Sequence, residues 1–276
     1  MTETKSNHFT YLKSINALRA IAVVLVFVNH LSPSLLPSGF IGVDIFFVIS
    51  GFVITNSIIK RGIESNRNFL LGFYARRLAR ILPTLLVYTI VTLTITAIII
   101  PNSYYYFSYA IRAIWGLSNI SFYHASIDYF SDSGEMNPFL QTWSLGVEEQ
   151  FYLILPILIS LTGFKKNPTK SKITTALLSI LALASFAGFA TLLHQKNISA
   201  AYYLITSRFW ELGLGCITCL ILTRKKYKFD RFLNINPAQT TLLIAPLFII
   251  VALIPEDQLG IAIVLSIAIS ILFVSL

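Results

Sequence analysis

Two side chains that could carry out acid–base chemistry lie in the first apolar run of the chain. Ten residues separate Arg19 from His30 in the segment LRAIAVVLVFVNH, where Asn29 is the other polar residue. On a helix this offset spans three turns, roughly 16 Å along the axis and about 20° around it, so both side chains share one stripe. Ionisable groups at membrane depth are costly and usually mark a site. The alternative is a snorkelling arginine and an unused histidine.

A cluster of three arginines forms a second candidate site. Arg76, Arg77 and Arg80 lie in the segment FYARRLARILP, before an apolar run. Arg77 and Arg80 are three residues apart, so they share a helical face and could bind a phosphorylated group. Basic clusters beside a membrane span are also common topology signals, and that alternative stays open.

The composition indicates which elements carry these residues. The chain has 276 residues, of which 55% are hydrophobic and 12% charged, with a mean hydropathy of +0.73. These values are typical of a membrane protein and exclude an ordinary soluble domain. Apolar runs lie near residues 12–32, 39–59, 81–100, 142–163, 173–193, 203–222, 239–254 and 258–276. We predict an all-α, polytopic transmembrane helical bundle of about eight spans, since ~20 residues cross a bilayer.

The basic residues predict the orientation of this bundle. Seventeen of the 21 lysines and arginines precede the first span or follow the second, fourth or sixth, which is one side of the membrane if the spans alternate. The positive-inside rule makes that side, with the N-terminus, cytoplasmic. The net charge of +9 therefore indicates topology, and we expect no nucleic-acid partner.

Residues 101–141 lie between the third and fourth predicted spans. The segment YYYFSYAIRAIWGLSNISFY is apolar enough for a further span, but counting it would place the KKNPTK loop outside. We predict instead an external segment at the membrane interface. Tyrosine and tryptophan suit the headgroup level, and Arg112 fits there better than in the middle of the membrane.

Five further ionisable residues lie within the predicted spans toward the outer face that His30 also approaches. They are Asp44, Glu148, Glu149, Arg208 and Glu211. A convergent set of this kind is typical of an active site or a proton path. The alternative is that the charges pair with one another and hold the bundle together.

The two cysteines give no sign of a metal site. Cys216 and Cys219 lie in the apolar run GLGCITCLIL, where no second pair of ligands is evident. Small residues of a membrane helix are the simpler interpretation, so we predict no metal and no redox pair.

Five separated motifs carry a resemblance to a known family. They are Arg19 with ten residues to His30, GVDIFFVISGF at 42–52, YARRLARILP at 74–83, TWSLGVEEQFY at 142–152 and RFWELGLG at 208–215. Together they resemble the acyltransferase type 3 family, the integral membrane O-acyltransferases of bacterial envelope polysaccharides such as O-antigen lipopolysaccharide and peptidoglycan. The resemblance covers essentially the whole chain, and the motifs are specific as a set.

The resemblance implies a reaction and a location. An acyl group, most often acetyl, would pass from cytosolic acyl-CoA to a glycan hydroxyl outside the bacterial inner membrane. His30 matches the catalytic histidine of the family, and Arg19 matches its intramembrane partner. Arg77 and Arg80 match the paired arginines that engage the CoA phosphates, and Glu148 matches the acid of the WSL-x-VE motif. The late Arg-x-x-Glu motif is matched by Arg208 and Glu211.

The chemistry of these residue types agrees with that reaction. A neutral imidazole can take the proton of an acceptor hydroxyl, typically worth ~10²- to 10⁴-fold in rate. A covalent acyl-histidine is an open alternative. Asp44 or Glu148 would orient the ring, and Arg19 would line the pantetheine path or stabilise the oxyanion.

Two other classes of function fit some of these residues. In a proton-coupled transporter or flippase, Arg19, His30 and the outer acids would form a proton relay. In a membrane scaffold, replacement of His30 would have no effect on activity. A transporter has no need of arginines that bind phosphate, so protection of Arg77 and Arg80 by acyl-CoA would separate the first alternative from an acyltransferase.

We expect residues 1–276 to form one membrane acyltransferase domain. The family usually has more spans and often a fused extracytoplasmic esterase-like domain, and Leu276 falls inside an apolar run. We therefore expect the natural sequence to continue beyond Leu276. The implied partners are the lipid bilayer, the glycan acceptor and an esterase-like domain, either fused after Leu276 or separate.

Overall fold

The computed structural model describes residues 3–61, 66–100, 103–127, 137–162, 172–225 and 237–275. Helices make up the secondary structure of these ranges, which contain no strand. The helices are α1 (Glu3–Leu31), α2 (Ile41–Arg61), α3 (Asn66–Ile99), α4 (Tyr104–Ile114), α5 (Ser118–Ile127), α6 (Thr142–Leu161), α7 (Lys172–His194), α8 (Ile198–Tyr203), α9 (Ile205–Lys225), α10 (Pro237–Ala252) and α11 (Leu259–Ser275). A short 3-10 turn, Glu256–Gln258, precedes α11.

Each predicted span corresponds to one of these helices. Among the described residues, five segments are long and apolar enough to cross a membrane. They are Ile41–Lys60, Arg67–Ile99, Thr142–Leu161, Lys172–His194 and Ile198–Thr223, and shorter apolar helices cover Ile15–Leu31 and Leu259–Val274. The all-helical prediction is therefore confirmed. The count of eight spans and their orientation stay predictions.

The third helix is longer than the sequence analysis predicts. We placed its start near residue 81, but α3 begins at Asn66 and runs for 34 residues with Pro83 inside it. The difference has a physical reason, because leucine, alanine and arginine all favour helix whether or not they are buried in lipid. The three arginines consequently lie within α3 and not at its start.

The segment predicted to lie at the interface contains two short helices. α4 has 11 residues and α5 has 10, which is half of the ~20 that a span requires. They are joined through Gly116, whose φ of 67° lies in the left-handed region that glycine adopts without strain. Residues 128–136 of the predicted external loop fall outside the described residues.

The chain divides into two compact units. Unit 1 comprises residues 1–60, 175–182 and 211–276, and unit 2 comprises residues 61–174 and 183–210. The core of unit 1 includes apolar residues of α1, α2, α10 and α11, such as Leu18, Ile45, Phe248 and Phe273. In unit 2, α5 packs on both α6 and α8, and α3 packs on α4 and α6.

Two glycines let helices of unit 1 approach closely. A Cβ at Gly42 of α2 would overlap the Ala22 carbonyl oxygen of α1, and a Cβ at Gly215 of α9 would overlap the Val48 carbonyl oxygen of α2. Membrane proteins use small residues in this way, since close backbone approach increases van der Waals contact. The α1–α2 hairpin that carries His30 is thus tightly packed.

Candidate functional site

The orientation of the His30 ring is set by its own helix. His30 lies one residue before the end of α1, its side chain is exposed, and Nδ1 is 2.8 Å from the Val26 carbonyl oxygen. A carbonyl oxygen only accepts hydrogen bonds, so Nδ1 must carry the proton and donate it. In the neutral ring, Nε2 then holds the free lone pair. This is the tautomer that a general base requires.

The segment after His30 is folded back on the last turn of α1. The Nδ2 amide of Asn29 donates to the carbonyl oxygens of Leu36 at 2.8 Å and Pro37 at 3.3 Å. The hydroxyl of Ser38 donates to the Ile254 carbonyl oxygen at 2.7 Å, which ties the same segment to the residues after α10. These bonds hold the end of α1 and therefore the place of His30.

The other predicted residues of unit 1 lie on three helices. Arg19 is half-buried on α1, and the unbroken helix to His30 confirms that one helix carries both. Asp44 is 1% exposed in the first turn of α2, where the helix dipole favours a carboxylate. Glu211 is fully buried on α9.

At Nδ1 of His30 the partner is the Val26 carbonyl oxygen. The physical reason is local, because a histidine near the end of a helix reaches the carbonyl one turn earlier, and that carbonyl is always present. Orientation of the ring by a carboxylate, Asp44 or Glu148, stays a prediction.

Unit 2 contains a cavity of about 390 Å³, which lies within the usual range of ligand pockets. Three elements enclose it, namely α3, the turn between α4 and α5, and α6. Its walls are mostly apolar. The lining residues are Tyr74, Arg77, Leu78, Ile81, Leu82, Ile114, Trp115, Gly116, Leu117, Glu149, Gln150, Tyr152 and Leu153.

Of the three clustered arginines, Arg77 is the one that lines the cavity. Its guanidinium carbon lies 4.0 Å from the centroid of the Tyr152 ring, a cation–π contact. Its Nε atom is buried and has no hydrogen-bond partner among the described residues. Arg76 and Arg80 are exposed and do not line this cavity. The cavity therefore does not contain the predicted pair of Arg77 and Arg80, since Arg80 lies elsewhere on the surface of α3.

The adjacent acids of α6 face different neighbours. Glu148 accepts a hydrogen bond of 2.7 Å from the Tyr152 hydroxyl. Glu149 lines the cavity beside Gly116, where a Cβ would overlap the Glu149 carboxylate. The backbone angle of Gly116 favours glycine, and a side chain there would also force the Glu149 carboxylate to move.

A network of amide side chains beside the cavity was not predicted from the sequence. The Nε2 amide of Gln150 donates to the Gly116 carbonyl oxygen at 2.9 Å and to Asn119 Oδ1 at 2.8 Å. Asn119 in turn donates to the Tyr203 carbonyl oxygen at 3.0 Å. The spacing of Glu148 and Tyr152, four residues apart, was the available signal for their contact. No local spacing could have indicated the amide network, because its members come from three helices.

Arg208 is a buried residue of unit 2. It is 1% exposed, and its Nε donates to the Tyr202 carbonyl oxygen at 3.0 Å. The guanidinium carbon lies 4.8 Å from the Tyr202 ring centroid and 5.8 Å from that of Phe189. The site therefore combines a buried cation with aromatic faces. Glu211, its predicted partner, belongs to unit 1.

The described residues contain no group of three or more histidine, cysteine, aspartate or glutamate side chains that could hold a metal ion. Cys216 and Cys219 are buried free thiols. The Cys216 thiol donates to the Gly51 carbonyl oxygen at 3.3 Å. It therefore has a packing role within unit 1.

Comparison with known proteins gives a consistent set of matches. A family model described as an acyltransferase domain matches residues 12–276. The chain is 35% identical over 214 residues to the O-acetyltransferase OatA of Staphylococcus aureus, which covers 76% of this chain and 35% of the relative. It is 33% identical over 234 residues to the peptidoglycan O-acetyltransferase OatA of Listeria monocytogenes, covering 83% of this chain and 36% of the relative.

A third relative is the putative peptidoglycan O-acetyltransferase YrhL of Bacillus subtilis. It is 32% identical over 232 residues, which cover 82% of this chain and 36% of that protein. The chain thus spans little more than a third of the length of these curated relatives. No solved structure matches the chain.

Proposed function

Because the chain belongs to the acyltransferase family whose domain model matches residues 12–276, we propose that it is a membrane O-acyltransferase. It transfers an acyl group, most simply acetyl, from acyl-CoA to a hydroxyl of an extracytoplasmic glycan. The observation that carries the proposal is the 2.8 Å contact between His30 Nδ1 and the Val26 carbonyl oxygen, which favours the tautomer with its proton on Nδ1. That bond leaves Nε2 free to act on an acceptor hydroxyl.

The proposed chemical step uses the lone pair of His30 Nε2. Nε2 takes the proton of the acceptor hydroxyl while the hydroxyl oxygen attacks the thioester carbonyl carbon. The C–S bond then breaks, the new ester C–O bond remains, and the proton passes to the departing CoA thiolate. In a covalent route, Nε2 attacks the thioester carbon and the CoA thiolate leaves; the acceptor oxygen then takes the acyl group from Nε2 while its proton passes to the thiolate. The Nδ1 proton stays in its hydrogen bond to the Val26 carbonyl oxygen in both routes.

The proposed donor site is the cavity of unit 2. Arg77 supplies a guanidinium that can bind phosphate, and the apolar walls suit an extended arm. Acyl-CoA combines these two features in one molecule. Arg76 and Arg80, exposed on the same helix, add positive charge that would attract such an anion from the cytosol.

The proposed acceptor is peptidoglycan, because two of the relatives are named peptidoglycan O-acetyltransferases. We place the chain as a multi-pass protein of the bacterial cytoplasmic membrane, in keeping with its apolar helices. An esterase-like extracytoplasmic domain, fused or separate, is the proposed partner in transfer. We propose that four further residues stabilise the charges and the geometry of the intramembrane site. They are Arg19, Asp44, Arg208 and Glu211.

The transporter alternative is not favoured. The matching family model describes an acyltransferase domain, and the relatives are O-acetyltransferases by name.

The experiment measures acetyl transfer by the full chain in proteoliposomes. The donor is radiolabelled acetyl-CoA, the acceptor is a peptidoglycan fragment, and the label in the glycan is counted. We expect transfer by the wild-type chain and a loss of about 10²- to 10⁴-fold in His30→Ala, since a general base contributes that much. The matched control is His194→Ala, an exposed histidine at the end of another helix, α7. It should keep full activity.

Two results would contradict the proposal. Transfer by His30→Ala at the wild-type rate would remove His30 from the chemistry. A wild-type chain that is correctly inserted but transfers no label to any glycan would remove the acyltransferase activity itself.

A further inference from the structure

Glu148 and Glu149 are neighbours in sequence, yet their carboxylates have separate surroundings. We propose that Glu148 is a positioning residue that acts through Tyr152 to orient the guanidinium of Arg77, while Glu149 faces the ligand in the cavity. This inference rests on the proposed function, in which Arg77 binds the donor phosphate. The two adjacent acids would then have different roles at one site.

A hydrogen bond joins Glu148 and Tyr152. The two residues are one turn apart on α6, and the hydroxyl donates to the carboxylate over 2.7 Å. A bond of this length from a phenol to a carboxylate is charge-assisted and strong. It holds the far end of the Tyr152 side chain, so the ring cannot swing away from its place.

The ring of Tyr152 contacts the guanidinium of Arg77. Tyr152 is 5% exposed, and its ring face lies 4.0 Å from the guanidinium carbon. The Arg77 Nε has no hydrogen-bond partner among the described residues, so no bond at that atom fixes the guanidinium, and the ring contact contributes to its position. Donation of the phenol proton to a carboxylate also polarises the ring toward negative charge, which strengthens its attraction for a cation.

Glu149 is not part of the contacts that join Glu148, Tyr152 and Arg77. Glu149 lines the cavity, whereas Glu148 does not. The place of the Glu149 carboxylate depends on Gly116, where a side chain would overlap it, and Gln150 holds that glycine through its carbonyl oxygen. Glu149 therefore lines the cavity itself, whereas Glu148 affects the cavity through the Tyr152 ring.

The experiment measures the Kd of coenzyme A, the free thiol, for the full chain in nanodiscs. Tyr152→Phe keeps the ring and loses the hydroxyl, so we expect about threefold weaker binding. Tyr152→Leu also loses the ring, so we expect about tenfold weaker binding. The Kd of Glu148→Leu should equal that of Tyr152→Phe. The Kd of Glu148→Gln should lie between those of Glu148→Leu and the wild type, because the amide oxygen still accepts a hydrogen bond.

A double-mutant cycle shows whether Tyr152 acts through Arg77. In an Arg77→Ala background, Tyr152→Leu should weaken binding no further, since the contact it serves is already absent. A merely structural role for Tyr152 would instead give additive losses. The matched control is Tyr88→Phe, which removes a hydroxyl that donates to the Pro138 carbonyl oxygen. It should leave the Kd unchanged.

The results distinguish this inference from the proposed function. Additive losses in the cycle, an unchanged Kd in Tyr152→Leu, or a wild-type chain that does not bind coenzyme A would each overturn the positioning role. Acetyl transfer is measured separately. A wild-type chain that binds coenzyme A in the expected pattern but transfers no acyl group would support the inference and overturn the proposed reaction.

Discussion

His30 in unit 1 and Arg77 in unit 2 are held in place by different kinds of contact. The His30 ring is bonded to the Val26 carbonyl oxygen, one turn earlier on the same helix. Arg77 of α3 lies against the Tyr152 ring, which belongs to α6. A carbonyl of the same helix is present wherever the helix forms, whereas the Tyr152 ring is in place only when the two helices pack. The position of the His30 ring thus depends on local structure, and that of the Arg77 guanidinium depends on tertiary structure.

The residues around His30 and around Arg77 also differ in whether they bond to the backbone or to side chains. Around His30, the contacts of Asn29 and Ser38 are to backbone oxygens of Leu36, Pro37 and Ile254. Around Arg77, a hydroxyl meets a carboxylate and one amide side chain meets another. Single substitutions should therefore affect the cavity of unit 2 more strongly than the His30 ring of unit 1.

The largest effect on stability is expected at the cavity wall. Gly116→Ala would force a side chain into the left-handed region and against the Glu149 carboxylate. We expect a loss of about 2–4 kcal/mol in the free energy of unfolding, because the backbone cost alone is 1–2 kcal/mol. The measurement is the thermal midpoint in detergent micelles, together with the Kd of coenzyme A.

The matched control for Gly116→Ala is Gly188→Ala. A Cβ at Gly188 of α7 would meet no atom within 4 Å, so alanine should raise the stability by up to about 1 kcal/mol. Equal effects of the two substitutions would show that the turn between α4 and α5 does not require glycine.

An intermediate effect is expected in the segment after α1. Asn29→Ala removes the hydrogen bonds to the Leu36 and Pro37 carbonyl oxygens. We expect a loss of about 1–2 kcal/mol in stability and a lower kcat with an unchanged KM for acetyl-CoA, since the end of the helix that carries His30 becomes less ordered. Steady-state kinetics in proteoliposomes measure this. A raised KM with an unchanged kcat would contradict the separation of the two regions.

The smallest effect is expected one turn before His30. Val26→Ala changes a side chain but keeps the carbonyl that accepts from Nδ1. The kcat and its pH profile should therefore stay within about twofold of the wild type, because the tautomer of the ring does not change. A large shift of the pH profile would show that the side chains around His30 matter more than the backbone.

The helical elements could be predicted well from the sequence, and the start of α3 less well. Apolar runs of sufficient length indicate helices because every backbone polar group must be satisfied inside a bilayer. The start of α3 at Asn66 was missed because hydropathy does not detect a helix that continues through Arg76, Arg77 and Arg80. The short helices α4 and α5 were also not predicted as such, since their aromatic residues indicate an interface but not a backbone conformation.

The candidate site was predictable in part. The spacing of Arg19 and His30 places both on α1, as the structure shows. The arginine cluster indicated the right segment, but not that Arg77 lines a cavity while Arg76 and Arg80 are exposed. The roles of Asp44, Arg208 and Glu211 stay predictions, although all three side chains are buried.

What the sequence by itself determined is the set of long apolar helices and, through its motifs, the family. These follow from periodicity, hydropathy and residue type, which are local properties of the chain. Only the tertiary structure decided that Glu148 and Glu149 have different neighbours and that Gly116 closes the cavity beside Glu149. The physical reason is that such contacts join side chains from separate helices, and no spacing along the chain encodes how those helices pack.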